Sequence, residues 1–72
     1  MNYTKAPEWT GDVVRDLHIN GITIGELADK LTISNNWVSK VLNGKKTPAG
    51  AEDRFRRAVE EIIRERDGHE VT

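Results

Sequence analysis

Residues 23–44 read TIGELADKLTISNNWVSKVLNG, and this stretch decides the fold. Thr23 and Glu26 have the spacing of a capping box, in which each side chain bonds a free backbone N–H at a helix start. Ser34 is a good N-cap for a second helix, and Asn43-Gly44 is typical of its end. The stretch therefore predicts two short helices joined by three residues.

Apolar residues recur at helical spacing on one side of each of these short helices, which predicts that this side is buried. They are Leu27, Ala28 and Leu31 in the first helix, and Val38, Val41 and Leu42 in the second, over residues 35–43. Ile22 precedes the first helix and has the position of a hydrophobic staple with Leu27.

Two longer helices are predicted on either side. The spacing of Trp9, Val13 and Leu17 indicates a helix with Thr10 as its N-cap, and Asn20-Gly21 ends it. The last helix begins between Pro48 and Glu52, and we expect Gly68 to end it. No segment requires a strand, so the predicted fold class is an all-α bundle of about four helices.

With 72 residues the chain is predicted to form one domain with a small core, burying roughly 60% of the unfolded surface. We expect a flexible arm over residues 1–8, the domain over 9–68, and a tail over 69–72. The absence of Cys excludes disulfides, thiolate zinc sites and cysteine nucleophiles, and it fits a reducing cytoplasm. Apolar runs of two residues predict neither a membrane span nor a signal peptide.

Charge is distributed unevenly along the chain. The formal net charge is −1, yet residues 30–51 contain no Asp or Glu. This acid-free window holds four lysines, which are Lys30, Lys40, Lys45 and Lys46. The pattern predicts one cationic face on a neutral-to-acidic body, although a pI of about 6.1 argues mildly against nucleic-acid binding.

Residues 24–44 resemble the Cro and lambda-repressor-like helix-turn-helix family, also called XRE-type. The family pattern is an apolar residue and Ala, an apolar residue three positions on, a turn, an apolar residue, Ser or Thr, and a recognition helix ending in Asn-Gly. The matching residues here are Leu27, Ala28, Leu31, Thr32, Ile33, Ser34 and Asn43-Gly44. The resemblance extends more loosely to the first and last helices.

This resemblance implies that helix 35–43 lies in the major groove of double-stranded DNA. Carboxylates there would repel phosphate, whereas Asn matches adenine and Lys reaches guanine or phosphate. The base-reading residues carried over by position are Asn35, Asn36, Ser39 and Lys40. The residues expected at the DNA backbone are Thr23, Trp37, Asn43, Lys45 and Lys46.

Two positions depart from the family pattern. Thr32 stands where the turn usually has Gly, and a β-branched residue is strained at positive φ, so we expect this turn to adopt another conformation. Ile24 stands where repressors often carry a phosphate-binding Gln. That contact is expected to be missing, or replaced by Thr23 or by backbone N–H groups.

Simpler interpretations remain open for several of these residues. Asn35 and Asn36 are common types beside an N-cap, and Lys45 and Lys46 suit a solvated turn. Trp37 suits a partly buried packing role. Two His without Cys do not predict a metal site, and no nucleophile–base set is present. The sequence therefore predicts no enzyme and no cofactor.

The prediction is a sequence-specific transcriptional regulator, a repressor of bacterial or prophage type, acting as a homodimer on DNA. The predicted core positions of the last helix are Ala51, Phe55, Ala58 and Ile62. Val59 and Ile63 lie beside them, and we expect this second stripe to form the dimer contact. The alternatives are an antitoxin-like or accessory regulator that answers chiefly to a protein partner, and an interaction module without DNA affinity.

Overall fold

The computed structural model describes residues 6–70 of the chain, with side chains described through Asp67. These residues form four helices and no strand: α1 (Glu8–Asn20), α2 (Ile24–Leu31), α3 (Asn35–Leu42) and α4 (Ala51–Glu70). The predicted all-α fold class is confirmed. In this part of the chain no helix is long and apolar enough to cross a bilayer.

The core lies where all four helices meet. Helix α4 packs on α1 and α2, and α3 packs on the same two helices. The largest fully buried side chains are Val13, Leu27, Val38 and Val41. At the edge of the core Trp9 meets Phe55 edge-to-face, with ring centroids 5.6 Å apart. The apolar sides predicted for α2 and α3 are thus the sides that face the core.

Helices α1, α2 and α3 end in the same way. Each is followed by a left-handed residue, which comes directly after α1 and α2 and one residue later after α3; its N–H and that of the next residue donate to carbonyls of the last turn. The left-handed residues are Gly21, Thr32 and Gly44, with φ of 65°, 61° and 80°. The predicted stops at Asn20-Gly21 and Asn43-Gly44 are therefore confirmed.

Thr32 contradicts the expectation that its turn would take another conformation. Its φ and ψ are 61° and 42°, the left-handed values that glycine usually supplies. The backbone N–H groups of Thr32 and Ile33 donate to the carbonyls of Asp29 and Ala28 at 3.1 and 3.0 Å. These bonds, and the packing of Ile33 against the core, hold the strained residue in place.

The first helix begins earlier than predicted. Glu8 is already helical, so the expected arm shortens, and residues 1–5 of it lie outside the described range. The prediction that Thr10 is the N-cap is wrong. Thr10 lies inside the first turn, is buried, and its hydroxyl donates to the carbonyl of Pro7 at 2.6 Å. A buried hydroxyl is satisfied there without capping the helix.

The last helix runs further than predicted. Its backbone continues through Gly68 to Glu70, so Gly68 does not end it, and residues 71–72 of the predicted tail lie outside the described range. Glycine in a helix interior is about 1 kcal/mol less favourable than alanine, and the neighbouring residues of a long helix can override this cost. The predicted start between Pro48 and Glu52 agrees with Ala51.

The predicted dimer stripe on α4 is largely internal. Val59 is 3% exposed and belongs to the core, and Ile63 is half-buried and packs against the same core. The reason is that α4 lies against both α1 and α2, so its buried arc is wider than the single stripe inferred from spacing. Val59 is therefore not available for a contact with a second chain.

Ion pairs and hydrogen bonds join α4 to the two helices that it covers. The Lys30 ammonium lies 2.6 Å from the carboxylate of Glu65, and Arg66 lies 2.8 Å from that of Glu26. Arg66 also donates to the backbone carbonyls of Asn20 and Gly21. One arginine thus satisfies carbonyls at the end of α1 and a carboxylate at the start of α2.

Candidate nucleic-acid interface

Helix α3 buries one side in the core. Val38 and Val41 are fully buried and Leu42 nearly so, which fixes the rotation of the helix about its axis. Asn35 and Asn36 are exposed at its start. Because Asn36 and Lys40 are four residues apart, their side chains project from the same side of the helix.

The start of α3 carries no negative charge. The Ser34 hydroxyl accepts the backbone N–H of Trp37 at 3.1 Å, so the N-cap is neutral, and the first turn contains no acidic residue. The partial positive charge of a helix N-terminus is therefore not opposed locally. Asn35 and Asn36 lie beside this end and add amide donors and acceptors.

Ser39 and Lys40 are half-buried, whereas Asn43 is exposed at the end of the helix. The Lys40 carbonyl accepts the backbone N–H groups of Lys45 and Lys46 at 2.9 and 3.3 Å. The chain after α3 therefore folds back onto the last turn of the helix. This places two exposed lysines close to the C-terminal end of the surface that carries Asn36 and Lys40.

Gly44 is required for this arrangement. Its φ is 80°, and a Cβ atom at this position would lie 2.8 Å from the Cα of Ala6. The segment that leads into α1 thus passes directly over the turn after α3. A side chain at position 44 would both strain the backbone and displace that segment.

The predicted Thr23 contact lies beside α3 but is already engaged. The Thr23 hydroxyl accepts the N–H of Glu26 at 3.0 Å, and the Glu26 carboxylate accepts the N–H of Thr23 at 2.9 Å, which confirms the capping box. A Cβ at Gly25 would lie 3.8 Å from the Asn35 amide nitrogen, so Asn35 reaches the start of α2. Asn35 is therefore close to the start of α2 as well as lying at the exposed surface.

A carboxylate occurs at this same end of α2. The backbone N–H of Thr23, followed by the guanidinium of Arg66, lowers the pKa of Glu26 below its ordinary value of 4.5. Glu26 is thus ionised at neutral pH, but its charge is paired with Arg66. Among the predicted backbone contacts, Thr23 is the one whose surroundings are least suited to phosphate.

Lys30 does not belong to the cationic face. It lies 2.6 Å from Glu65 and 4.0 Å from Glu61, on the side of α2 that is covered by α4. Hydrogen bonding to Glu65 raises the pKa of Lys30. The acid-free window is therefore split in space, and its exposed face consists of Lys40, Lys45 and Lys46 with the neighbouring Asn and Ser residues.

Trp37 lies at the edge of α3 nearest to α4. It is 37% exposed and borders a half-open cavity of about 160 Å³. This cavity, which we call the Trp37 groove, is lined by Leu31, Ile33, Trp37, Pro48, Ala51, Arg54 and Phe55. The predicted packing role of Trp37 agrees with this position. Arg54 is exposed and lines the groove beside Trp37, although it is not among the site residues predicted from the sequence.

Comparison with protein-family models, with curated proteins and with solved structures finds no match to this chain. The resemblance to the XRE-type family therefore remains a prediction that rests on residues 24–44. What the geometry adds is the orientation of α3, since Val38, Val41 and Leu42 face the core and the Asn, Ser and Lys residues of the helix are not buried.

Proposed function

We propose that this chain is a sequence-specific DNA-binding transcriptional regulator of the Cro and lambda-repressor-like type, acting as a cytoplasmic repressor of bacterial or prophage origin. Helices α2 and α3 serve as its helix-turn-helix, and α3 enters the major groove. Asn35, Asn36, Ser39 and Lys40 read base edges, while Trp37, Asn43, Lys45 and Lys46 contact the DNA backbone.

One observation carries this proposal. The exposed side of α3 and the turn after it form a continuous surface without a carboxylate, on a chain with twelve acidic residues and a net charge of −1. A solvated helix face usually mixes charges of both signs. A surface of Asn, Ser and Lys beside an uncompensated helix start is what phosphate and base edges require.

The chemistry assigns different tasks along this surface. The Asn36 amide can donate and accept together, which matches the N7 acceptor and N6 donor of adenine. Lys40, one turn further along, offers only donors and suits guanine or phosphate. Lys45 and Lys46 have left the helix and are positioned to follow the sugar-phosphate backbone, where they add affinity without sequence preference.

Selection of bound fragments from a random double-stranded DNA library tests the proposal. We expect enrichment of a defined sequence, and gel-shift binding of that sequence should weaken as salt is raised. If no sequence is enriched and nonspecific DNA is not bound even at low salt, the chain is not a DNA-binding protein.

The antitoxin-like or accessory regulator remains the second candidate, and the Trp37 groove is the observation that favours it. An apolar cavity beside the proposed DNA surface suits a protein partner. A chain of this kind would bind DNA in the selection experiment and would also bind its partner at the Trp37 groove. An interaction module without DNA affinity would fail the DNA selection.

A further inference from the structure

We propose that the Trp37 groove is the docking site for a short acidic segment of a partner protein. One apolar side chain of that segment fills the cavity, and flanking carboxylates pair with Arg54 and Arg57. This binding does not depend on the proposed DNA-binding function. Only its consequence for DNA, given below, rests on that function.

The cavity has the size and the lining for one apolar side chain. Its volume is about 160 Å³, similar to an apolar cavity of about 150 Å³ that holds benzene. Leu31, Ile33, Pro48 and Phe55 form much of its wall, and Trp37 forms part of its rim with 37% of its surface exposed. A leucine or aromatic side chain would bury this rim as well as itself.

The cationic side chains beside the cavity favour a partner segment with negative charge. Arg54 lines the Trp37 groove and also a neighbouring depression that Leu31 and Arg57 line. Within the side chains described through Asp67, neither Arg54 nor Arg57 forms an ion pair. The acidic residue lining the depression, Glu61, already lies 4.0 Å from Lys30. The two arginines are thus free to pair with carboxylates of a partner.

A peptide fits these features better than DNA does. Phosphate can pair with the arginines, but a duplex offers no side chain that could enter an apolar cavity beside them. A segment with one apolar anchor between Asp or Glu residues uses both features at once, and buried aromatic anchors and Arg commonly dominate binding energy.

Docking there would oppose DNA binding. Trp37 is adjacent to Asn36 on α3, so carboxylates held at the groove would lie beside the surface proposed to meet phosphate. The partner's carboxylates would repel the DNA phosphates, and the partner would also cover Trp37. We therefore infer that the bound segment and DNA compete, which would make the partner an anti-repressor.

Selection from a displayed library of random short peptides, against the intact chain without DNA, tests the docking site. We expect enriched peptides to share one Leu or aromatic residue flanked by Asp or Glu. Trp37→Ala should weaken a selected peptide roughly 30-fold, as expected for the loss of an aromatic anchor. Arg54→Glu should weaken it about tenfold, with a smaller effect at high salt.

Arg15→Glu is the charge-matched control, because Arg15 lies on α1 and does not line the groove. It should bind the selected peptide like the parent chain, and circular dichroism should show that all variants remain helical. The proposal is overturned if no acidic peptide is enriched, or if Arg15→Glu weakens binding as much as Arg54→Glu.

Two other occupants give distinct results, and each overturns the proposal. If no peptide is selected and Arg54→Glu instead lowers affinity for DNA, the cations belong to the DNA surface. If the parent chain self-associates and Trp37→Ala abolishes this, the groove holds a second copy. Because the peptide assay contains no DNA, its failure does not decide whether the chain binds DNA.

Discussion

At the residue scale, Thr32 is a point of backbone strain. The sequence predicts this strain correctly, but the prediction that the turn avoids it by adopting another conformation is wrong. Thr32 has φ of 61°, whereas the equivalent positions after α1 and α3 are glycines. A β-branched residue costs roughly 1–2 kcal/mol in this conformation. We predict that Thr32→Gly raises the free energy of unfolding by about 1 kcal/mol, because glycine relieves strain but adds entropy to the unfolded chain. Urea unfolding measures the change.

Gly44→Ala is the matched comparison for Thr32→Gly. It introduces a side chain at φ of 80° and places a Cβ 2.8 Å from the Cα of Ala6, so it combines strain with a backbone clash. We expect a loss of about 2 kcal/mol or more. If Thr32→Gly lowers the free energy of unfolding as Gly44→Ala does, Thr32 is not the strained residue.

At the element scale, the helix ends that could be predicted are those governed by local rules. The capping box of Thr23 and Glu26, the Ser34 cap and the Gly21 and Gly44 stops all involve residues within a few positions of each other. Such bonds do not depend on the rest of the fold. The N-cap prediction for Thr10 is wrong because the role of Thr10 depends on its burial in the core. Local spacing does not indicate that burial.

The capping box of α2 should make stability depend on pH. The pKa of Glu26 is lowered from 4.5 in the folded chain, so the unfolded chain binds more protons as the pH falls. The contribution of Glu26 is present above about pH 4.5 and is lost as the pH falls through the lower folded pKa. We predict that Glu26→Gln is less stable at neutral pH and loses less stability on acidification.

Unfolding in urea across an acidic pH series measures this difference. Glu60→Gln is the control, since Glu60 is exposed and pairs with no described cation within 4.0 Å. It should follow the parent chain throughout. Parallel pH profiles for Glu26→Gln and the parent would contradict the role given to Glu26.

Helix α3 and the turn that follows it should differ in their mutational signatures. We predict that Asn36→Ala and Lys40→Ala each cost on the order of 1–3 kcal/mol on the selected DNA and relax preference at one position. Lys46→Ala should instead weaken all sequences alike and reduce the salt slope by about 1 per contact, or about 2 in a dimer.

Binding of each variant to selected and scrambled DNA across a salt series distinguishes these effects. Lys30→Ala is a matched control, because it removes a lysine that pairs with Glu65 outside the proposed surface. It should leave the salt slope unchanged. A change of sequence preference in Lys46→Ala, with equal losses on both DNAs for Asn36→Ala and Lys40→Ala, would show that the roles are reversed.

At the scale of the whole molecule, contacts between distant residues determine what local patterns cannot. Lys30 pairs with Glu65 from 35 positions away, and Arg66 reaches the end of α1 from 46 positions away. These contacts removed Lys30 from the cationic face. The burial of Val59 by flanking helices has the same origin. The predicted base-reading residues on α3 are not engaged in such ion pairs within the described residues, because the core packs against the other side of that helix.

The size of the proposed reading element argues for two copies on DNA. Helix α3 has eight residues and is about 12 Å long, so one copy faces roughly four base pairs. Few base contacts and three exposed or half-exposed lysines give one chain limited affinity and specificity. A homodimer doubles the number of base and phosphate contacts, and affinity and specificity rise far more than twofold because they depend exponentially on free energy. Val59 is buried, so the contact between the two copies uses other residues.

We predict that selected sites contain two symmetric half-sites with centres about 34 Å, or roughly 10 base pairs, apart. Sedimentation of the protein–DNA complex should give two chains per site. Inserting roughly five base pairs, about half a helical turn, between the half-sites should rotate one half-site to the far side of the duplex and abolish joint binding. A single unrepeated site occupied by one chain, unaffected by such an insertion, would establish a monomeric reader.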